Sequence, residues 1–131
     1  MVLDALPRSI SVARRVVGGL LVPTLVPPEV AEDVLLLVSE LVTNAVLHAR
    51  SAVHLSAVVE PGRVLVAVGD DDPHHTPVQP DRGAMATSGR GMRLVELLAS
   101  SWGVETSASS KVVWFEAAYP PTLIDLRATL G

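Results

Sequence analysis

The chain has 131 residues, enough for one domain with a core of its own, and 49% hydrophobic content excludes a disordered chain. Aromatic residues make up only 3%, so the core must be built from Val, Leu and Ala, and the lack of cysteine excludes disulfides and thiolate metal sites. A formal net charge of -4 with no basic block argues against a main role on nucleic acid.

The start of the chain carries Asp4 and lacks a basic stretch followed by a long apolar run, so no signal peptide is expected. Leu20 to Val26 is apolar but is cut by Pro23, and no segment reaches the roughly 18 apolar residues that span a bilayer. A cytoplasmic protein without a membrane partner is the expectation.

Ser9 to Leu21 reads as a first helix, with Ile10, Ala13, Val16, Val17 and Leu20 on one face and Ser9 or Ser11 able to cap its start. Pro23 to Pro28 connects it to a second helix. Pro28 suits the first helical position, and Glu29, Glu32 and Asp33 suit its positive end. This helix should run to about Ala49. Ala52 to Val59 alternates at period two, Glu60-Pro61-Gly62 is a turn signal, and Val64 to Val68 is a short apolar run ending at Gly69-Asp70. The pair reads as an antiparallel hairpin. Periodicity then stops from Asp71 to Arg90, a length of irregular chain that usually forms a functional lid or a disordered loop. Gly91 to Ser101 reads as a third helix, Trp102 to Thr106 and Lys111 to Tyr119 as strands around a serine-rich turn, and the tail as a short helix. Residues 1–131 show no internal repeat and no second domain.

Within the second helix Glu40, Asn44 and His48 recur every fourth residue, each step advancing only about 40°. They form one polar stripe beside the apolar Val38, Leu41, Val42 and Ala45. Taken alone, such a stripe is more often the solvated face of a helix. As a site, the carboxylate can act as general base, the amide oxygen is a hard ligand suited to Mg²⁺, and the imidazole can donate to phosphate. Asp70, ending an apolar strand, can accept from the amino group of a base such as adenine. Gly89-Arg90-Gly91 at a helix start allows close approach of phosphate and adds a cation. The run Asp70-Asp71-Asp72-Pro73-His74-His75 supplies metal-ligand types, but neighbours in a strand point to opposite faces, so a solvated acidic loop is the better expectation.

The order of these features resembles the histidine-kinase-like ATPase superfamily with its Bergerat nucleotide fold. Within that superfamily the chain is similar to the small single-domain anti-sigma-factor serine kinases and their actinobacterial relatives. The resemblance runs from Ala13-Arg14, through Ser39-Glu-Leu-Val-Thr-Asn-Ala-Val-Leu-His48 and Gly89-Arg-Gly-Met92, to Trp102-Gly103 and Lys111-Val-Val-Trp114. It implies an α+β two-layer sandwich with helices on one face of a mostly antiparallel sheet, and ATP with Mg²⁺ as cofactors. Glu40 matches the general base and Asn44 the metal ligand. His48 lies near the phosphates, Asp70 reads adenine, and Gly89, Arg90, Gly91 and Met92 hinge the lid beside the phosphates.

The implied function is a regulatory serine/threonine kinase that binds a sigma factor and phosphorylates a serine of its antagonist. Relatives commonly dimerise, so the resemblance leaves a homodimer open. The rival readings are an ATP-gated binding module without phosphotransfer and, least favoured, a metal-dependent hydrolase built on the Asp-His run. The sequence departs from the family pattern in three places. Asp70-Asp71-Asp72-Pro73 lacks the Asp-x-Gly-x-Gly of sensor kinases, which favours the stand-alone branch. Lys111-Val112 replaces a common Gly-Thr that offers phosphate a hydroxyl. Thr87 precedes Ser88-Gly89, where some anti-sigma kinases carry arginine. These differences bear on catalytic rate more than on nucleotide binding.

Overall fold

The computed structural model describes residues 1–48, 52–71 and 86–121, with backbone alone for 86–91. Among them the order is β1 (Val2–Leu3), α1 (Arg8–Leu21), α2 (Pro28–His48), β2 (Val53–Glu60), β3 (Arg63–Asp70), α3 (Ala86–Leu98), β4 (Ser101–Thr106) and β5 (Lys111–Ala118). The strands form one sheet, β1-β2-β3-β5-β4, in which every pairing is antiparallel. The helices pack on one of its faces, giving the expected α+β two-layer sandwich.

Period-two alternation decides which residues meet the helices. Val53 and Leu55 of β2, Val64, Val66 and Val68 of β3, and Val113, Phe115 and Ala117 of β5 are buried. Their neighbours His54, Ser56, Val58 and Arg63 are exposed on the other face. Val34, Leu37, Val38, Leu41 and Val42 of α2 complete the core opposite them. Each such Val or Leu contributes about 1.5–3 kcal/mol by leaving water, so the core needs few aromatics.

The β2–β3 hairpin closes through Pro61-Gly62. Gly62 has φ 91°, the left-handed conformation that a Pro-Gly type II turn requires at its second central position. Arg63 then bridges Glu60 at 2.8 Å and Glu116 at 3.1 Å, tying the turn to β5. The Glu60 hydrogen bond, followed by that from Glu116, holds the Arg63 guanidinium above its ordinary pKa. In the motif Trp102-Gly103, a Cβ on Gly103 would lie 2.8 Å from Trp114 Nε1. Glycine there lets the indole lie across β4, since the two residues are register partners.

Several expectations shift. The first helix starts at Arg8 with no side-chain cap, and Ser9 instead donates to the Asp4 carbonyl oxygen at 2.6 Å. Its buried face is Ser9, Ala13, Val17 and Leu21, while Val16 and Leu20 are 38% and 43% exposed. Helix period alone could not separate these two adjacent stripes, because both are apolar. The third helix begins at Ala86, ahead of Gly89-Arg90-Gly91, and ends at Leu98 rather than Ser101. The glycines therefore lie inside its opening turns. Two helical glycines cost about 1 kcal/mol each, less than Met92 and Val95 gain by burial below them. The two-residue β1, which adds an edge to β2, was too short to register as a period. The lid expected over Asp71 to Arg90 falls largely outside the described residues, as does the tail helix.

Candidate functional site

Chain connectivity brings Asp70, Lys111 and the start of β2 to one end of the sheet. Asp70 is the last residue of β3, and β5 starts opposite it, since Asp70 and Lys111 are register partners. The start of β2 lies at the same end, with His54 opposite Gly69. Four residues separate His48, the end of α2, from Val53, so the helix end lies within about 18 Å of that strand start. Leu98, the end of α3, connects to β4, which runs parallel to β3 and so begins at the opposite end.

α2 carries Glu40, Asn44 and His48 at successive turns. Asn44 is buried at 7% exposure, and Glu40 and His48, one turn to either side, are partly exposed. This is not a fully solvated helix face. Leu41, Val42 and Ala45 of the same helix are buried with it, and its side-chain oxygen is shielded from solvent. The helix below is anchored from outside. Arg14 of α1 donates to Ser39 Oγ at 2.6 Å and to the Leu35 carbonyl oxygen at 3.3 Å, next to Glu40 in sequence. Ser39 and Thr43 return their hydroxyls to the backbone one turn back, at 2.9 and 2.6 Å. These bonds account for the Ala13-Arg14 and Ser39 portions of the motif as fixtures of helix position.

Asp70 is 3% exposed, so it is no solvated strand end. Its Oδ2 lies 3.5 Å from Nζ of Lys111, and the two side chains are 4% and 6% exposed. The sequence reading does not bring Lys111 to Asp70. A signal for it existed: Lys111 shares the inward period of Val113, Phe115 and Ala117, which places a lysine on the core side of β5. Asp71 takes the opposite face and lies 3.5 Å from His54 Nε2, both about half-exposed. Asp70 and Asp71 thus diverge, as strand alternation requires. No group of three or more His, Asp or Glu side chains fit for a metal occurs among the described residues, and Asp72, His74 and His75 lie outside them. Of the glycine motif, Met92 is a buried residue of α3 at 3% exposure, and Gly89, Arg90 and Gly91 are placed by backbone only. No described helix is long and apolar enough to cross a membrane.

A helical layer that carries an acid and a buried amide, packed on an antiparallel sheet whose β3 ends in a buried carboxylate, defines an α+β domain. Residues 3–116 match the model of the histidine kinase-like ATPase domain, and the chain belongs to that family. It is thereby an ATP-binding domain. It is 38% identical to an uncharacterized protein of Streptomyces coelicolor over 71 residues, which are 53% of this chain and 68% of that one. In structure it is similar to the histidine kinase domain of the Erythrobacter litoralis EL346 blue-light activated histidine kinase. The TM-score is 0.55 at 29% identity, covering 71% of this chain and 46% of that one. A longer chain of the same kinase gives a TM-score of 0.54 at 29% identity, with 31% of it covered. The chain therefore spans less than half of either solved kinase chain.

Proposed function

We propose that the chain is an ATP-dependent regulatory serine kinase of the anti-sigma type, which binds a sigma factor and phosphorylates a serine on an antagonist protein. The observation that carries the reading is buried Asn44 one turn from Glu40 on α2, together with a buried carboxylate, Asp70, at the end of β3. The donor set fits the cofactors. Asn44 offers Mg²⁺ a hard amide oxygen, and Asp70 offers adenine a buried acceptor. Bound Mg²⁺ would offset charge on the triphosphate. Asn44 would hold it, and His48 would donate to phosphate oxygen. Glu40 would take the proton of the attacking serine hydroxyl. The γ-phosphoryl group then passes to the serine oxygen, and ADP leaves with the electron pair of the broken bond.

Partner binding has support in exposed apolar residues. Val16 and Leu20 lie one turn apart on α1, and Val22 and Leu25 follow, at 38%, 43%, 83% and 43% exposure. Clustered exposed apolar residues of this kind mark protein contacts, here with the sigma factor or a second copy of the chain.

Transfer of label from γ-labelled ATP to a serine of a co-purifying partner tests the reading. A partner that binds only with ATP yet takes no label would favour the ATP-gated binding module.

Asp70→Ala should weaken ATP binding tenfold to a hundredfold, the loss of one hydrogen bond to a charged acceptor. It also leaves the Lys111 ammonium buried without its carboxylate, so the melting temperature should fall. The double variant Asp70→Ala/Lys111→Met removes both charges. It should recover most of the melting temperature while calorimetry still finds weak binding.

A further inference from the structure

β4 is the last strand on its side of the sheet among the described residues. Edge strands are usually blunted by Lys, Pro or a bulge, because their open N–H and C=O groups invite another strand. β4, Ser101-Trp-Gly-Val-Glu-Thr106, has neither Lys nor Pro, and its register with β5 runs unbroken along its whole length. Its core side is also unfinished: Trp102 and Val104 pack against the core yet stay partly exposed. On the other side the Trp114 indole lies over Gly103, with Nε1 2.8 Å from where a Cβ would stand.

We propose that β4 is an interface with a second copy of this chain, paired antiparallel about Gly103 so that the two sheets become one. The order of side chains along β4 fits that partner. With Gly103 opposite the partner's Gly103, Trp102 meets the partner's Val104 and Ser101 meets the partner's Glu105, each twice in the dimer. The faces agree, core side with core side, as a period of two requires. An aromatic residue opposite a β-branched one is a favourable cross-strand pair, and no like charges are opposed. The paired glycines leave space for the two indoles above them. Asp70, Lys111 and Thr106 share one row at the far end of the strand, so the two Asp70 ends point in opposite directions. The interface therefore stands apart from the ATP reading.

Sedimentation velocity over a concentration series, without nucleotide, measures the dimer dissociation constant. Wild type should dimerise reversibly and weakly, since one strand pair is a small interface. Ser101→Glu places a carboxylate opposite the partner's Glu105, twice per dimer, and should weaken association roughly twofold to thirtyfold. Ser101→Lys places an ammonium there and should strengthen it by a similar factor. Adding Glu105→Lys to Ser101→Glu restores opposite charges and should recover the wild-type constant. Glu105→Lys alone faces only serine and should change little, although it shifts net charge further than Ser101→Lys does. Ser101 is exposed and sits opposite Glu116 of its own chain, so the lysine variant is tolerated and serves as the test if Ser101→Glu does not fold. A chain that stays monomeric up to millimolar concentration overturns the proposal. A dimer indifferent to residue 101, or one that follows net charge rather than the pairing, overturns it as well.

Discussion

Glu40→Gln should keep ATP binding and lower phosphotransfer by a factor of roughly 10²–10⁴. A general base acts on the hydroxyl proton in the transition state, so its loss appears in turnover and not in ground-state affinity. The substitution keeps size and shape at a partly exposed position, and the neighbouring supports of α2 come from Arg14, Ser39 and Thr43 rather than Glu40. Calorimetry and a labelled-phosphate assay on the same preparation read both halves. Unchanged turnover with unchanged binding would remove Glu40 from the chemistry and with it the kinase reading.

Asn44→Ala should have the opposite signature. A metal ligand acts in the ground state, so ATP affinity measured with Mg²⁺ should drop to the value measured with a chelator present. Asn44 is buried, and truncating it opens a small void, so a modest fall in melting temperature should accompany the loss. The contrast between the variants makes the test sharp. The positions lie one turn apart on one helix, so general damage to α2 would weaken both alike. A variant that binds Mg·ATP as wild type does would show that the metal is held elsewhere.

The helix stripe was legible because Glu, Asn and His at fixed spacing in an apolar run conflict with simple burial, and Asn44 at 7% exposure bears the conflict out. The sheet was legible from pattern: Ala52 to Val59 alternates at period two, Val64 to Val68 is a short apolar run, and Pro61-Gly62 marks their turn. The extent of α3 was not. Gly89 and Gly91 read as a break, yet the helix continues through them to Ala86, since packing of Met92 and Val95 outweighs local propensity. The Asp70–Lys111 pair was half legible. The inward period of β5 could have been read from Val113 and Phe115, but the partner of Lys111 follows only from strand order. The order β3-β5-β4 brings together residues 41 positions apart. The buried face of α1 was misplaced because its two apolar stripes differ only in what covers them.

The most direct measurement for the central claim is calorimetric titration of the wild-type chain with ATP and with GTP, each with Mg²⁺ and with a chelator. The Asn44 ligand and the Asp70 acceptor predict saturable ATP binding that weakens sharply when Mg²⁺ is removed, and at least tenfold weaker binding of GTP. Equal affinity for ATP and GTP, or ATP binding indifferent to Mg²⁺, would contradict the site as drawn.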